Sequence, residues 1–285
     1  MLTLSCPDRP GIVHAVSGAI VTAGGNITAS QQYEDPGSST FFMRVAVAPA
    51  RKGSDPSRFG VEVRAEVEPV AAQFGMTWQL HQASRHTRTL IMVSLGGHCL
   101  NDLLFRARSG SLHIEVPAVV SNHETLRELA EFYGVPFHYV PVTREPGSRA
   151  AAEAHLRGLV AEYDVDLVVL ARYMQVLSDE MCEAMPGRII NIHHSFLPSF
   201  KGARPYHQAH ARGVKLIGAT AHYVTASLDE GPIIEQDVIR VDHTMEPEDL
   251  AAAGRDVEAQ VISRAVRWYA EHRVLLNGSS TVVFR

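Results

Sequence analysis

The densest group of side chains capable of acid–base chemistry lies between Arg188 and Gly231. An apolar run ends in Asn191 and His193, which point to the same side if the run is a strand. A carboxamide and an imidazole on one face can aim at the same carbonyl oxygen, as stabilisation of a tetrahedral oxyanion requires. Asp229 follows in a segment with turn chemistry, where a carboxylate can orient an imidazole or hold water. These three residues are the candidate catalytic groups.

Each of these residues, taken alone, also fits a cap or a hydrogen-bonded turn. Cys99 is a candidate nucleophile, but no general base is paired with it in the sequence, so a small residue in the site wall is the simpler interpretation. His194 fits either a satisfied loop histidine or a direct role. The histidines of this region match neither the HExxH spacing nor a 2-His-1-carboxylate pattern, so we predict no metal site.

A length of 285 residues is typical of two domains. The hydrophobic fraction of 46% is that of a globular protein, and a net charge of -5 gives no electrostatic reason to bind nucleic acid or an anionic membrane. Three scattered cysteines favour a reducing compartment, since they form neither a disulfide framework nor a thiolate zinc site. Without a signal peptide or an apolar run of ~18–20 residues, we expect a cytoplasmic protein with a small-molecule ligand.

The first 82 residues read as β-α-β-β-α-β, an antiparallel sheet covered by helices on one face. Apolar residues from Ile12 to Val21 recur at helical spacing, and a second helix is predicted with four residues inward: Val61, Val67, Val70 and Phe74. Residues 83–88 are polar and aperiodic, so we predict a linker there. In residues 89–285, short apolar runs alternate with helical stretches, which is typical of an open, mostly parallel Rossmann-like α/β sheet.

Two parts of this second half resemble the catalytic core of the folate-dependent formyltransferase family. They are Asn191-Ile192-His193-His194-Ser195-Phe196-Leu197-Pro198 with Lys201-Gly202-Ala203, and His222-Tyr223-Val224-Thr225 with Leu228-Asp229-Glu230-Gly231-Pro232. The resemblance implies that Asn191, His193 and Asp229 are the catalytic trio. It also implies a folate pocket whose residues come from two loops: Met174, Val176 and Leu177 from one, Thr225 and Glu230 from the other.

The N-terminal segment resembles an ACT domain, a module that binds small effectors and often dimerises. Asp8-Arg9-Pro10-Gly11, before the helix at Ile12, carries this resemblance and marks the implied effector site. An ACT domain followed by a formyltransferase-like domain resembles the formyltetrahydrofolate deformylase family, with further matches at His98 to Leu104 and Gly202 to Ala209. That resemblance implies hydrolysis of 10-formyltetrahydrofolate to tetrahydrofolate and formate for purine and one-carbon metabolism. It further implies no tightly bound cofactor, a homo-oligomer formed through ACT domains, and glycine or methionine as effector.

Two alternatives remain open at this point. One is formyl transfer to an amine, as in glycinamide ribonucleotide transformylase, which binds a substrate phosphate with a small polar glycine loop after the first strand. Here that loop carries Leu95, His98 and Cys99, so we expect Cys99 and His194 to face a water on the acceptor side. The other is a regulatory protein with an inactive second domain, against which the intact trio argues. Whether Asp229 or His193 is the formal base stays open, because the two titrate as a coupled pair.

Overall fold

The computed structural model describes residues 1–51, 53, 55–197 and 205–285. The chain forms two compact units, of which the first comprises Met1–Arg85, Glu271–Asn277 and Val282–Arg285 and the second comprises His86–Ala270 and Gly278–Thr281. The sequence assigns all of residues 89–285 to the second domain, whereas two short C-terminal segments cluster with the first unit. The motif residues Pro198, Lys201-Gly202-Ala203 and Arg204 lie outside the described residues.

The first unit has the predicted βαββαβ order, which is confirmed. Its elements are β1 (Leu2–Pro7), α1 (Ile12–Thr22), β2 (Gly25–Asp35), β3 (Thr40–Pro49), α2 (Pro56–Phe74) and β4 (Thr77–Leu80). The strands form an antiparallel sheet in the order β2-β3-β1-β4. The sheet order places the first strand of the chain at the centre, so residues adjacent in space come from distant parts of the sequence.

Helix α2 buries a stripe that differs in part from the predicted one. Val61 was expected to point inward, but it is 69% exposed, whereas Val63 is 1% exposed. Val63, Val67 and Phe74 form one helical stripe against the sheet. Val61 precedes Val63 by two positions, which places it about 200° around the helix, on the solvent side. The prediction for Val61 was therefore wrong.

The other face of this sheet receives the C-terminal part of the chain. Arg44 on β3 alternates with the core residues Met43 and Val45, so it points away from α1 and α2. Its guanidinium donates to the carbonyl oxygens of Glu271 at 2.9 Å and His272 at 3.1 Å. The segment continues as β13 (Val274–Asn277) and β14 (Ser280–Val283), a two-stranded hairpin.

The second unit is an α/β sheet with helical connections, as predicted. Its elements are β5 (Thr87–Val93), α3 (His98–Arg108), β6 (Ile114–Glu115), β7 (Val119–Ser121), α4 (Arg127–Phe132), β8 (Phe137–Tyr139), α5 (Ser148–Glu162), β9 (Leu167–Leu170), α6 (Asp179–Ala184), β10 (Ile189–His193), α7 (Pro205–Arg212), β11 (Leu216–Tyr223), β12 (Ile233–Arg240) and α8 (Pro247–Ala270). Strand β5 begins within the predicted linker, because Thr87 and Arg88 pair with β6.

The sheet of the second unit reverses its winding at β5. The strand order is β12-β11-β10-β9-β5-β7-β8, so the chain moves from β5 to β7 and β8 and then returns to β9 on the other side. Strands β8, β7, β5, β9 and β10 are parallel, whereas β11 runs antiparallel to both of its neighbours, β10 and β12. Ligands of open α/β sheets bind beyond the carboxyl ends of the strands at such a reversal. Among the described helices, none is long and apolar enough to cross a membrane.

Candidate active site

Loops that follow β5, β9 and β10 meet at one edge of the second unit's sheet. The three strands are parallel neighbours, so their carboxyl ends lie side by side. Ser94 follows β5 and binds across this edge: its hydroxyl donates to Asn122 Oδ1 at 2.6 Å and accepts from the Met174 backbone N–H at 3.1 Å. These contacts fix the loop after β9 against the loop after β5 and define a rim for a ligand.

Asn191, His193 and Asp229 come together at this edge, and His222 connects them. His193 Nδ1 lies 3.3 Å from Asp229 Oδ1, which is 3.7 Å from His222 Nε2. His222 Nε2 lies 3.2 Å from Asn191 Nδ2. The antiparallel register of β10 and β11 sets Asn191 directly opposite His222. One carboxamide, two imidazoles and one carboxylate therefore form a connected group.

His222 determines how the Asn191 amide is oriented. His222 Nδ1 lies 2.9 Å from the Tyr223 carbonyl oxygen, which can only accept, so Nδ1 carries the hydrogen. Burial lowers the pKa of His222, although that hydrogen bond and the Asp229 charge favour the cation, so the ring is neutral and its Nε2 accepts. The network thus assigns Nδ2 of Asn191 to the His222 side, and one amide N–H of Asn191 remains for a ligand.

Asp229 sits in a turn that is held tightly to β11. Its φ of 57° is left-handed, a region that residues other than glycine seldom adopt. Two residues further, a Cβ on Gly231 would lie 1.8 Å from the Tyr223 carbonyl oxygen, so this close approach requires glycine. The hydrogen bond from His193 holds the pKa of Asp229 below its ordinary value, while burial opposes that shift. Asp229 is accordingly a carboxylate anion beside His193 at neutral pH.

The loop after β10 is anchored from β11 and β12. The Thr220 hydroxyl donates to the Ser195 carbonyl oxygen at 2.9 Å and accepts from the Leu197 N–H at 3.1 Å. The His194 ring stacks on His193, with centroids 5.0 Å apart and planes inclined by 20°. Burial, followed by the Arg172 charge, lowers the pKa of His194 to about 4. His194 is therefore neutral at physiological pH and packs as an uncharged ring against His193.

The residues expected to bind folate divide between a cavity and the surface. Val176 and Leu177 line a small cavity beside the β9–α6 loop, and Arg149 and Glu153 of α5 also line it. Met174, Thr225 and Glu230 are exposed and lie outside this lining. The predicted set is thus not gathered into one enclosed pocket: part of it forms a cavity and part an open rim.

Cys99, expected on the acceptor side, lies in a buried polar cluster around Glu258. His98, Cys99 and Glu258 each offer a ligand atom within 4.8 Å of one another, a geometry that resembles a metal site. However, Arg172 Nε lies 3.5 Å from the same Glu258 oxygen that His98 contacts, so a cationic side chain already accompanies this carboxylate. Burial, followed by the Glu258 charge, raises the pKa of Cys99 well above its ordinary value. The thiol is therefore protonated and suits a wall better than a nucleophile or a metal ligand.

The residues of the predicted effector site lie together on the β1–α1 loop of the first unit. Asp8, Arg9, Pro10 and Gly11 are exposed, whereas Ile12 is buried in the core. The Arg9 guanidinium lies 4.5 Å from the centre of the Phe74 ring at the end of α2. The loop is therefore braced against α2 while Asp8 to Gly11 remain exposed to solvent.

Three residues of this edge were not predicted for the site: His222, which accepts from Asn191 and lies beside Asp229, and the Arg172–Glu258 pair. His222 was recognisable only as a member of a motif, since its role depends on strand register. Arg172 has a left-handed φ of 67° and carries a buried Nη1 without a partner among the described residues, neither of which leaves a sequence signal. Glu258 lies on a helix distant in sequence from every motif.

The sheet order and the polar edge are those of a formyltransferase-type domain. The formyl transferase family model matches residues 87–266, and the ACT domain model matches residues 1–52. The chain is 53% identical over 285 residues to the formyltetrahydrofolate deformylase of Corynebacterium sp. (strain P-1), covering 100% of this chain and 98% of that protein.

Comparison with solved structures indicates the same family. A formyltetrahydrofolate deformylase from Burkholderia mallei superimposes with a TM-score of 0.93 at 48% identity, covering 100% of this chain and 98% of the other. A glycinamide ribonucleotide transformylase from Symbiobacterium toebii superimposes with a TM-score of 0.67 at 35% identity, covering 73% of this chain and 98% of the other. This chain belongs to the formyltetrahydrofolate deformylase family, which confirms the resemblance drawn from its motifs.

Proposed function

We propose that this chain hydrolyses 10-formyltetrahydrofolate to tetrahydrofolate and formate, supplying formate for purine and one-carbon metabolism. The observation that carries the proposal is the connected group formed by Asn191, His222, Asp229 and His193 at the carboxyl edge of the sheet. It combines an oriented N–H donor, an imidazole and an anionic carboxylate, which are the groups that attack by water on a formyl amide requires. Membership of the deformylase family supports the same reaction.

In the proposed mechanism, the formyl carbonyl lies between Asn191 and His193. A water oriented by the His193–Asp229 pair attacks the formyl carbon, and its proton passes to that pair. The oxyanion accepts a hydrogen bond from the free amide N–H of Asn191. Removing one such donor commonly raises the activation free energy by ~3–4 kcal/mol. The bond from carbon to N10 then breaks while N10 takes up the proton, and formate and tetrahydrofolate leave.

The folate is proposed to lie against the β9–α6 loop and the turn that carries Asp229. Met174 and Val176 on the first loop are 59% and 51% exposed, and Leu228 on the turn is 61% exposed. Large apolar side chains exposed on two loops beside a polar centre suit a flat, largely apolar ring system such as a pterin. Thr225 and Glu230 form the polar part of this turn.

Hydrolysis and transfer are separated by one experiment. Purified protein is mixed with 10-formyltetrahydrofolate with and without an amine acceptor, and formate is followed with a coupled formate dehydrogenase assay. Formate release without acceptor supports the proposal. Release of a formylated amine with strict dependence on the acceptor would identify a transferase, and absence of both products would identify a binding protein.

We further propose that the first unit binds an amino acid, glycine or methionine, on the exposed β1–α1 loop, and assembles the chain into a homo-oligomer. Asp8 to Gly11 are exposed to solvent, and Gly11 caps α1 with a φ of 97°. Titration calorimetry with glycine and with methionine tests this site. If neither amino acid produces heat of binding, the proposed effector site is refuted. The enzyme is proposed to work in the cytoplasm without a tightly bound cofactor.

A further inference from the structure

The orientation of the His193 ring depends on contacts at its edge and at its face. At the edge, Nδ1 lies 3.3 Å from Asp229 Oδ1, which is slightly longer than a typical N–H···O hydrogen bond. The second side-chain torsion of histidine has a broad minimum, so the rotamer alone does not determine the angle of the ring. A single long hydrogen bond therefore holds the His193 ring loosely, unless another group packs against its face.

The next residue in the chain, His194, supplies a contact to that face. The two ring centroids are 5.0 Å apart and the ring planes are inclined by 20°, which is a stacked arrangement. Successive residues of a strand point to opposite sides, but β10 ends at His193. The chain can therefore turn after His193 and bring the following side chain back onto its ring.

The segment that carries His194 is itself held in place from β11 and β12. The Thr220 hydroxyl donates to the Ser195 carbonyl oxygen at 2.9 Å and accepts from the Leu197 N–H at 3.1 Å. Gln236 Nε2 donates to the same hydroxyl and to the Leu197 carbonyl oxygen, both at 2.9 Å. The Thr220 hydroxyl thus uses its one donor and both acceptor positions. His194 projects from an anchored segment, so its ring can serve as a firm support.

The surroundings of His194 keep its ring uncharged. Burial, followed by the charges of Arg172 and His193, lowers its pKa to about 4. The carboxylates of Glu258 and Asp229 act in the opposite direction and are outweighed. In the proposed hydrolysis a water proton passes to the His193–Asp229 pair, and a second charged ring stacked on His193 would repel the cation formed there. An uncharged aromatic face supports His193 without that repulsion.

We propose that His194 is a positioning residue for the hydrolysis, because its stacked ring holds the His193 ring in the plane in which Nδ1 meets Asp229. This inference rests on the proposed function. In this role His194 transfers no proton and does not touch the reacting atoms. It acts by keeping His193 in a reactive geometry, from which a small displacement of a catalytic group lowers the rate. A direct role on the acceptor side would instead require a ring nitrogen of His194.

Two substitutions of His194 separate support by the ring face from chemistry at the ring nitrogens. His194→Phe keeps a flat aromatic face without nitrogens, whereas His194→Ala removes the face. In formate release from 10-formyltetrahydrofolate, we expect kcat to fall about 10- to 100-fold in His194→Ala. The phenylalanine variant should recover kcat to within about threefold of the wild type, and KM should change less than about threefold in both. His243→Ala, in an exposed turn of the same unit, is the matched control.

Proton NMR reports the orientation of His193 separately from the rate. The Nδ1–H of His193, held against Asp229, should give a downfield imidazole signal that exchanges slowly with water, and its loss in Asp229→Asn assigns it. We expect this signal in the wild type and in His194→Phe, and its loss through exchange in His194→Ala. Circular dichroism melting shows that the variants are folded, so a merely structural role for His194 would leave the signal in place.

Equal losses of kcat in the phenylalanine and alanine variants would assign the role to the ring nitrogens and overturn the inference. A wild-type kcat in His194→Ala would overturn it as well. If the alanine variant does not fold, His194→Leu takes its place, because leucine fills the volume without a flat face. A wild-type protein that releases no formate from 10-formyltetrahydrofolate would instead refute the proposed function.

Discussion

The carboxylate of Asp229 offers the sharpest test of the proposed chemistry, through the isosteric change Asp229→Asn. Its Oδ1 lies 3.3 Å from His193 Nδ1, and its side chain is 24% exposed. At an effective dielectric constant of about 20, a charge pair at that distance is worth about 5 kcal/mol. Solvent screening at a partly exposed site reduces this to about 3–4 kcal/mol, so kcat should fall about 10²- to 10³-fold.

The assay follows formate release from 10-formyltetrahydrofolate at several substrate concentrations, so that kcat and KM are obtained separately. We expect KM to change by no more than about threefold, because an effect confined to the transition state lowers kcat alone. Asp256→Asn, an exposed aspartate on α8, is the matched control and should match the wild type. A kcat for Asp229→Asn within tenfold of the wild type would remove this carboxylate from the mechanism.

Three further predictions concern the support of the site. His222→Phe keeps a ring of similar size but removes the nitrogen that accepts from Asn191 and orients its amide. In steady-state kinetics, kcat should fall about 10- to 100-fold with KM unchanged. A rise in KM as large as the fall in kcat would contradict this role for His222. Gly231→Ala forces a Cβ to 1.8 Å from a β11 carbonyl oxygen and should lower the free energy of unfolding by about 1–3 kcal/mol in urea melts, whereas Gly158→Ala, with open space around it, should not. The depressed pKa of His194, about 4 against 6.5 unfolded, means that its contribution to stability is present above pH 6.5 and is lost as the pH falls towards 4. His194→Gln should therefore reduce the drop in unfolding free energy between those pH values by up to about 3 kcal/mol, and an unchanged drop would show that the ring is solvated.

Periodicity predicted the element order of both units because each strand and helix has its own apolar pattern. Periodicity placed single residues on a helix face less accurately. Val67, Val70 and Phe74 of α2 were predicted to face the core, but the first buried residue of that face is Val63 and not the predicted Val61. No local sequence pattern predicts that Glu271 and His272 belong to the first unit either. The contact depends on Arg44, more than two hundred positions away in the chain.

The candidate site likewise contains some residues that the sequence predicts and others that it does not. Asn191 and His193 were predictable because strand alternation places them on one side, and Asp229 because a carboxylate in a turn beside them suggests a partner. The link through His222 requires the register of two antiparallel strands, which no pattern within either strand specifies. The ion pair between Arg172 and Glu258 joins a loop to a remote helix, so tertiary packing alone brings it together.

The route of the chain through the two units has a consequence for biosynthesis. The segment that Arg44 binds on the far face of the first sheet is translated only after the whole of His86–Ala270. Because domains fold as they emerge from the ribosome, the strands β5 to β12 and the helix α8 of the later unit are all present at Ala270, while the earlier unit still lacks the segment that covers the far face of its sheet. The unit that begins the polypeptide is therefore completed last, and a nascent chain arrested at Ala270 should carry a formed second-unit sheet together with a first-unit sheet whose far face is still uncovered.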